Sequence, residues 1–434
     1  MHVFFSGIGG TGIGPLALIA KQAGYGVSGS DIKDSQYIKY LREKGLEGIY
    51  VGQTSEQIAA VHSQKPINWF VYSSALPLDN PNHPELAFCQ QNNIRTSKRD
   101  EFLNEVLSQK KMKLIAIAGT HGKTTTTAMV IWLFKQLELP ISYSVGAKIN
   151  FGDMGAFDSS SEYFIYEADE FDYNFLAFYP YLSIITGVAW DHHEIFLTQE
   201  EYYKAFLDFI GQSQRTLLWR EDFGRLELTY ADKYQVGDYD NLAIEQISLP
   251  GLFNRRDAWL AVRAMIQITQ TPKEQLIGLI NGFPGVSRRF EKLLDNLYTD
   301  YAHTPEKIIG AMSVAKEIAA ANGQKIVVVY EPLTNRRMHY TAANHHSVFE
   351  GASAIYWTPS YLAREDPGQV VLLPAELIPN LSPQFQQIAH PAELNEALTQ
   401  AIGQHLQAGD LVVAMSGGGG GSLDEWLRQN FSSK

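Results

Sequence analysis

Residues 113–131 read KLIAIAGTHGKTTTTAMVI: an apolar run of β type breaks at a glycine, a lysine and four threonines follow, and an apolar stretch at helical spacing takes over. A second junction of the same build opens the chain, where HVFFSG leads into Gly7-Ile8-Gly9-Gly10-Thr11-Gly12-Ile13-Gly14 and then PLALIAKQAG. A strand that ends in a tight turn and enters a helix is the unit of a parallel sheet, because a parallel neighbour can be reached only through a crossover. These two junctions constrain the chain to the α/β class, and the alternation continues beyond them. YGVSGSD reads as a strand, QYIKYLREKG as a helix, and NWFVYSSAL as a later strand followed by PELAFCQQNN. Residues 95–112 read as a polar, charged helical stretch leading into a second block. There strands are expected at 113–119, 162–169 and 181–189, and a helix across EEYYKAFLDFIG. The segment 215–250 is shorter-stranded and rich in turns. RRDAWLAVRAMIQIT then reads as a helix with Ala258, Val262, Met265 and Ile266 on one face.

At 434 residues the chain is too long for one ordinary core and fits about three domains. Glycine and proline cluster in NGFPGVSRRF (281–290), marking a boundary. Beyond it NLYTDYA, KIVVVYEP, AIYWTP and DLVVAMS read as strands interleaved with helices, a third α/β unit. The expected architecture is an N-terminal Rossmann-like domain over 1–106, a central P-loop ATPase-like domain with a mostly parallel sheet over 107–285, and a C-terminal Rossmann-like domain over 286–434. No internal repeat is evident. The runs TTTT and GGGGG fall at strand-to-helix junctions rather than in low-complexity tails.

Composition narrows the function classes. Net charge is −12 with no basic block to neutralise a nucleic-acid backbone, so polyanion binding is not expected. No apolar run approaches the roughly 20 residues that span a bilayer. MHVFFSGIGGTGIG is a strand and turn rather than a signal segment, and the single cysteine, Cys89, fits a reducing cytoplasm. Small anionic ligands remain open, since backbone amides and a few local cations can hold them.

Each glycine junction is a candidate phosphate site. The first fits G-x-G-x-x-G after a strand, and Asp31 ends the next strand, where a carboxylate can meet a ribose hydroxyl. By itself this pattern would suit a dinucleotide. In the second, Ile117 stands where the generic P-loop has its first glycine, but Gly119, Gly122, Lys123 and Thr124 keep the working parts. Backbone amides cradle phosphates, a lysine reaches the terminal ones, and a hydroxyl can ligate Mg²⁺. Glu167-Ala-Asp169-Glu170-Phe-Asp172 ends a strand, where ligands of open α/β sheets gather. A strand-end glutamate beside a P-loop suits Mg²⁺, which commonly takes one or two carboxylates plus phosphates. Asp191-His192-His193-Glu194 follows another strand and could supply a further metal ligand or orient a substrate.

Taken together, A-G-T-H-G-K-T-T-T, E-A-D-E-F-D and a strand followed by D-H resemble the Mur ligase family, the ATP-dependent amide-forming enzymes of peptidoglycan assembly. The likeness continues through Gly251-Leu-Phe-Asn254-Arg-Arg-Asp257-Ala258, Ser287-Arg288-Arg289-Phe290-Glu291 and Asp300-Tyr301-Ala302-His303-Thr304-Pro305. The resemblance implies that ATP phosphorylates a substrate carboxylate and that an amine then displaces the phosphate. It implies an ATP site of Gly119, Thr120, His121, Gly122, Lys123, Thr124, Thr125, Asn254, Arg289, Asp300 and His303. Lys123 and Arg289 would serve the phosphates, Thr124 and Glu167 would hold Mg²⁺, and His192 would serve a second Mg²⁺. Asn254 and His303 would face adenine, with Asp300 on the ribose. It also turns the first glycine site toward UDP-N-acetylmuramate, through Gly7, Gly9, Gly10, Thr11, Gly12, Asp31, Ser73 and Ser74.

Asp257 stands where the family has a second asparagine, and Thr304 where a histidine is usual in one branch. Phe206 or Leu207 falls near the point where some members carry a carbamylated lysine, so no such modification is expected. Two branches compete for the amine: one takes L-alanine, the other the tripeptide L-Ala-γ-D-Glu-meso-diaminopimelate. E-A-D-E-F-D, D-H-H-E-I-F, Tyr330-Glu331-Pro332-Leu-Thr-Asn335 and Met415-Ser416-Gly417 resemble the tripeptide branch more closely. That makes the tripeptide the expected amine, with Glu331, Asn335, Arg336 and Ser416 near it and L-alanine the alternative. A cytoplasmic monomer or homodimer acting on small molecules is expected.

Overall fold

The computed structural model describes residues 1–192, 195–238, 241–362, 365–366 and 368–431. Three sheets follow one another along the chain. In the first, β1 (His2–Ser6), β2 (Gly26–Asp31), β3 (Ile49–Val51), β4 (Trp69–Tyr72) and β5 (Arg95–Lys98) lie in the order β3-β2-β1-β4-β5, all parallel. The second joins β6 (Lys113–Ala118), β7 (Ser142–Ser144), β8 (Gly155–Ala156), β9 (Tyr163–Glu167), β10 (Leu182–Ile185), β11 (Arg215–Trp219) and β12 (Tyr234–Gly237). Their order is β12-β11-β10-β6-β9-β7-β8, with only β8 antiparallel. The third joins β13 (Glu291–Leu294), β14 (Leu297–Asp300), β15 (Ile326–Glu331), β16 (Ala352–Trp357), β17 (Ala389–Pro391) and β18 (Leu411–Ser416) in the order β13-β14-β18-β15-β16-β17. There only the β13–β14 pair is antiparallel. The α/β class and the mostly parallel sheets are therefore as the sequence predicts.

By contacts the chain forms two compact units, Met1–Ile247 with Arg256–Phe283, and Ser248–Arg255 with Pro284–Lys434. The first unit holds two sheets and the second holds one. Alternation along each strand explains how both faces are filled, since neighbouring side chains point to opposite sides. Phe4 and Phe70 enter one apolar cluster with Ile58 and Leu86, while Val3, Phe5, Trp69 and Val71 enter another. This second cluster runs on without a break through Phe102, Leu103, Val106 and Leu107 of the helix Arg99–Lys110 to Leu114, Ala116 and Ala118 of β6. Likewise Val328, Tyr330, Val413 and Met415 face one side of the third sheet, and Val327, Val329, Val412 and Ala414 the other.

Two sequence readings change. The stretch 95–112 is not helical throughout: Arg95–Lys98 is the edge strand β5, and the helix begins at Arg99. Its polar sequence, RTSK, suits an edge, where few side chains are buried. It is held by pairing with β4, by the Trp69 indole donating to Ser97 Oγ at 2.9 Å, and by Arg95 lying 3.7 Å over the Trp69 ring. NWFVYSSAL is a strand only to Tyr72, and Ala75 begins a short helix. The run Gly417–Gly421 does join a strand, β18, to the helix Leu423–Phe431. Among the described residues no helix is long and apolar enough to cross a membrane.

Candidate active site

The loop Gly119–Gly122 leaves β6 and enters the helix Lys123–Gln136. Gly122 has φ +75°, and a Cβ there would stand 2.6 Å from the Asp257 carboxylate, so both conformation and space require glycine. The loop is pinned from the side by Thr120. Its amide donates to Gly187 O at 2.9 Å, and its hydroxyl donates to Ala189 O at 2.7 Å. The Thr186 hydroxyl donates to His121 O. Thr125, one turn into the helix, is half-buried.

Register brings the acidic segment to this loop. Ile117 pairs with Glu167, so the end of β9 lies beside the end of β6. Thr124 Oγ1 donates to Glu167 Oε1 at 2.7 Å, and the Gly146 amide donates to Oε2 at 2.7 Å. Lys123 Nζ donates to Gly119 O at 2.6 Å and to both oxygens of Glu170, at 3.0 and 2.8 Å. His192 Nε2 stands 3.6 Å from Glu170 Oε1. Burial would raise the Glu170 carboxyl, but the Lys123 ammonium and His192 hold it below the ordinary range. Burial would likewise lower Lys123, and Glu170 with Asp169 keeps it above its usual value. Lys123 and His192 thus meet at Glu170, and Thr124 meets Glu167, while His193 and Glu194 lie outside the described residues.

The donor set at this point is hard oxygen, a hydroxyl and a carboxylate at the mouth of a glycine loop, which is what Mg²⁺ takes together with phosphate oxygens. Among the described residues no group of three or more His, Cys, Asp or Glu could hold a metal by itself. The residues present therefore fit Mg²⁺ carried in with a phosphate ligand.

The first glycine turn is built differently. The Gly7 and Ile8 amides donate to Ser30 O at 2.8 and 2.9 Å, and the Gly9 amide donates to Asp31 Oδ2 at 2.8 Å. Gly10 closes the turn on Gly7 O at 3.0 Å, and Thr11 is exposed. A Cβ on Gly12 would overlap the Arg99 guanidinium, so this glycine makes room for an arginine as well as opening the turn. Arg99 Nη2 donates to Asp169 Oδ2, and its Nε to Asp100 Oδ2, both at 3.0 Å. Ser73 is half-buried, and Ser74 is buried against Asn174, whose Nδ2 donates to Ser74 Oγ at 3.2 Å. Lys98 Nζ donates to Asp172 Oδ2 at 2.6 Å. The segment 167–174 thus bonds to the second glycine loop and the helix it enters through Glu170 and Glu167, and to Arg99, Lys98 and Ser74 of the first domain through Asp169, Asp172 and Asn174. Sequence reasoning missed Arg99, because a lone arginine opening a charged helix carries no motif.

In the second unit the Phe290 amide donates to Asp300 Oδ2 at 2.6 Å, and burial raises the Asp300 carboxyl to about 6 against the pull of Arg289. Arg289 and Arg288 lie 4.8 and 4.9 Å over the Tyr301 ring. His303 is buried, with Nδ1 3.1 Å from Arg337 Nη1, and Asn254 Nδ2 donates to Pro250 O at 2.7 Å. Glu331 and Asn335 are 3% and 1% exposed, and their polar atoms hold the fold together. Glu331 accepts from the Ser416 hydroxyl at 2.5 Å and the Leu423 amide at 3.0 Å. Asn335 donates to Val370 O at 3.1 Å and accepts from the Leu372 amide at 2.8 Å. The Arg336 amide donates to Glu365 Oε2 at 2.9 Å.

The chain also resembles known proteins along its length. Residues 2–111 match the model described as Mur ligase family, catalytic domain, residues 117–229 the Mur ligase middle domain, and residues 288–418 the Mur ligase glutamate ligase domain. The UDP-N-acetylmuramate–L-alanine ligase of Renibacterium salmoninarum is 30% identical over 84% of this chain and 83% of its own length. That of Acetivibrio thermocellus is 28% identical over 96% and 93%. Among solved structures, UDP-N-acetylmuramate–alanine ligase from Thermotoga maritima superposes with a TM-score of 0.75 at 22% identity, covering 99% of this chain and 98% of that one. A murein peptide ligase from Psychrobacter arcticus does so with 0.66 at 21%, covering 100% and 99%. Three consecutive family matches, and 30% identity along most of its length, show that the chain belongs to the Mur ligase family, the ATP-dependent ligases that form amide bonds in peptidoglycan synthesis.

Proposed function

We propose that this chain joins the carboxylate of UDP-N-acetylmuramate to the amino group of L-alanine. The γ-phosphoryl group of ATP passes to a carboxylate oxygen, giving an acyl phosphate and ADP. The amine then attacks the carbonyl carbon, the carbon–oxygen bond to phosphate breaks, and the amide forms as a proton leaves the nitrogen. Phosphoryl transfer depends on positioning and charge neutralisation more than on covalent help from the protein. Lys123 supplies positive charge at the glycine loop, and Thr124 and Glu167 would hold Mg²⁺. Mg²⁺, when bound, offsets negative charge on the phosphates. The turn at Gly7–Gly12, with Asp31, Ser73 and Ser74, takes the UDP-sugar. This reading places the enzyme in the cytoplasm.

The observation that carries the choice of amine is the run of relatives: both sequences described above, matching 84% and 96% of this chain, are L-alanine ligases. It replaces the tripeptide favoured by short motifs. The motif residues Glu331 and Asn335, on which that preference leaned, are buried and engaged in holding Ser416, Leu423 and the 370–372 segment. A residue can resemble a substrate contact and still be a pin in the fold. The test is phosphate release from ATP, Mg²⁺ and UDP-N-acetylmuramate with either L-alanine or the tripeptide. Turnover is expected with L-alanine; turnover with the tripeptide alone would restore the other branch, and none with either amine would defeat both.

A further inference from the structure

Glu170 belongs to the acidic segment, yet neither the metal pair nor the phosphate loop accounts for it. Its side chain is 1% exposed, deeper than that of Lys123 at 16% or His192 at 21%. Three side chains converge on its carboxylate: Lys123 Nζ at 2.8 and 3.0 Å, the Tyr202 hydroxyl at 3.5 Å, and His192 Nε2 at 3.6 Å. Sheet order explains the convergence. Glu170 follows β9, Lys123 follows β6 and His192 follows β10, and these strands are neighbours in the order β10-β6-β9. The carboxylate therefore reaches across the phosphate loop to the loop beyond it. Tyr202, fully buried, meets it from the helix Gln199–Gln212, and its hydroxyl lies 2.8 Å from Thr120 Oγ1. Thr120 is in turn tied to both backbone groups of Ala189, at 2.7 and 2.9 Å.

A lysine ammonium is a point charge on a flexible stem, so its place is set by what it bonds. A carboxylate this deep is tolerated only when opposite charge and donors surround it. Each group thus fixes the other, and the Tyr202–Thr120 pair fixes both to the loop.

We propose that Glu170 is a positioning residue for phosphoryl transfer, holding Lys123 and His192 in register across three adjacent strand-end loops, with Tyr202 as its anchor. This rests on the ligase reading above. Glu170 touches no reacting atom, and it competes with phosphate oxygens for the same ammonium. Its charge therefore matters for where Lys123 stands during transfer and not for holding the nucleotide.

The experiment compares the full-length chain with Glu170→Gln, Glu170→Asp and Tyr202→Phe variants. Affinity for a non-hydrolysable ATP analogue with Mg²⁺ is read by titration calorimetry, and kcat by phosphate release. Glu170→Gln is expected to lower kcat on the order of 100-fold, the scale of losing one preorganised electrostatic contact. Its affinity for the analogue should be unchanged or tighter. Glu170→Asp, which keeps the charge on a shorter stem, should recover part of the loss. Tyr202→Phe should lower kcat about tenfold, at about 1.4 kcal/mol per tenfold, with the same affinity. A kcat within threefold of the parent in Glu170→Gln overturns the proposal, as does a fall in kcat matched by an equal loss of nucleotide affinity. If that variant does not fold, Glu170→Asp and Tyr202→Phe decide by the same split. If the parent turns over with neither amine, the ligase reading fails, and the titrations alone judge Glu170: weaker analogue binding in Glu170→Gln then overturns the positioning role.

Discussion

Single residues in this chain owe their behaviour to partners far away in sequence. Gly122 is required because its backbone is left-handed and its α-carbon faces Asp257. Gly122→Ala is expected to destabilise the first unit by roughly 1 kcal/mol or more and to weaken binding of the ATP analogue. Equal melting temperature and equal affinity would show that the loop relaxes around the methyl. Glu85 gives a pH prediction. It is fully buried, with the Ser6 hydroxyl donating at 2.6 Å, and burial with the nearby Asp31 charge raises its carboxyl from 4.5 to about 7. The folded chain then holds this proton more tightly than the unfolded chain. Its contribution to stability is present below about 4.5 and is lost as pH rises to about 7, by roughly 3 kcal/mol at about 1.4 kcal/mol per unit. Urea unfolding of Glu85→Gln between pH 5 and 8 should lack this component, and a slope identical to the parent's would refute the assignment.

Elements meet through charged contacts that their own sequences do not announce. The helix Arg99–Lys110 begins with a guanidinium 16% exposed, bonded to Asp100, itself 2% exposed, and to Asp169. Tyr166 donates to the other oxygen of Asp100 at 2.5 Å. Removing Arg99 leaves a buried carboxylate without its cation, so Arg99→Ala is expected to destabilise by roughly 3–5 kcal/mol. An unfolding free energy in urea within about 0.5 kcal/mol of the parent's, the scatter of surface substitutions, would show that Asp100 is held by other means. The strands that sequence reading found carry apolar or aromatic runs of four residues or more, such as β1, β4, β6, β15 and β18. It missed β3, β7 and β17, each three residues long. Three residues are too few to show a period of two, and β5 was hidden by its polar edge sequence. Such strands exist because a neighbour offers them a ladder, not because their side chains demand one.

At the scale of the whole molecule, the two glycine turns stand on two different sheets of one compact unit. Lys123→Ala is therefore expected to abolish turnover while UDP-N-acetylmuramate binding, read by calorimetry, stays within about threefold, since distant sites add nearly independently. A large loss of UDP-sugar affinity would mean that the 167–174 segment transmits the change, Lys123 acting through Glu170 and Arg99 through Asp169. By itself the sequence determined the α/β class and both glycine turns, because these follow from local periodicity and from residues set at strand ends, while the grouping of Lys123, Thr124, Glu167 and His192 is what the family resemblance implies. Tertiary structure alone decided that Gly12 yields to Arg99, that Glu170 is buried against Lys123, and that Glu331 and Asn335 are pins of the fold. The physical reason is that burial and pairing belong to contacts between distant segments: Lys123 and Glu170 are 47 residues apart and Glu331 and Ser416 are 85, and no local pattern encodes such a meeting.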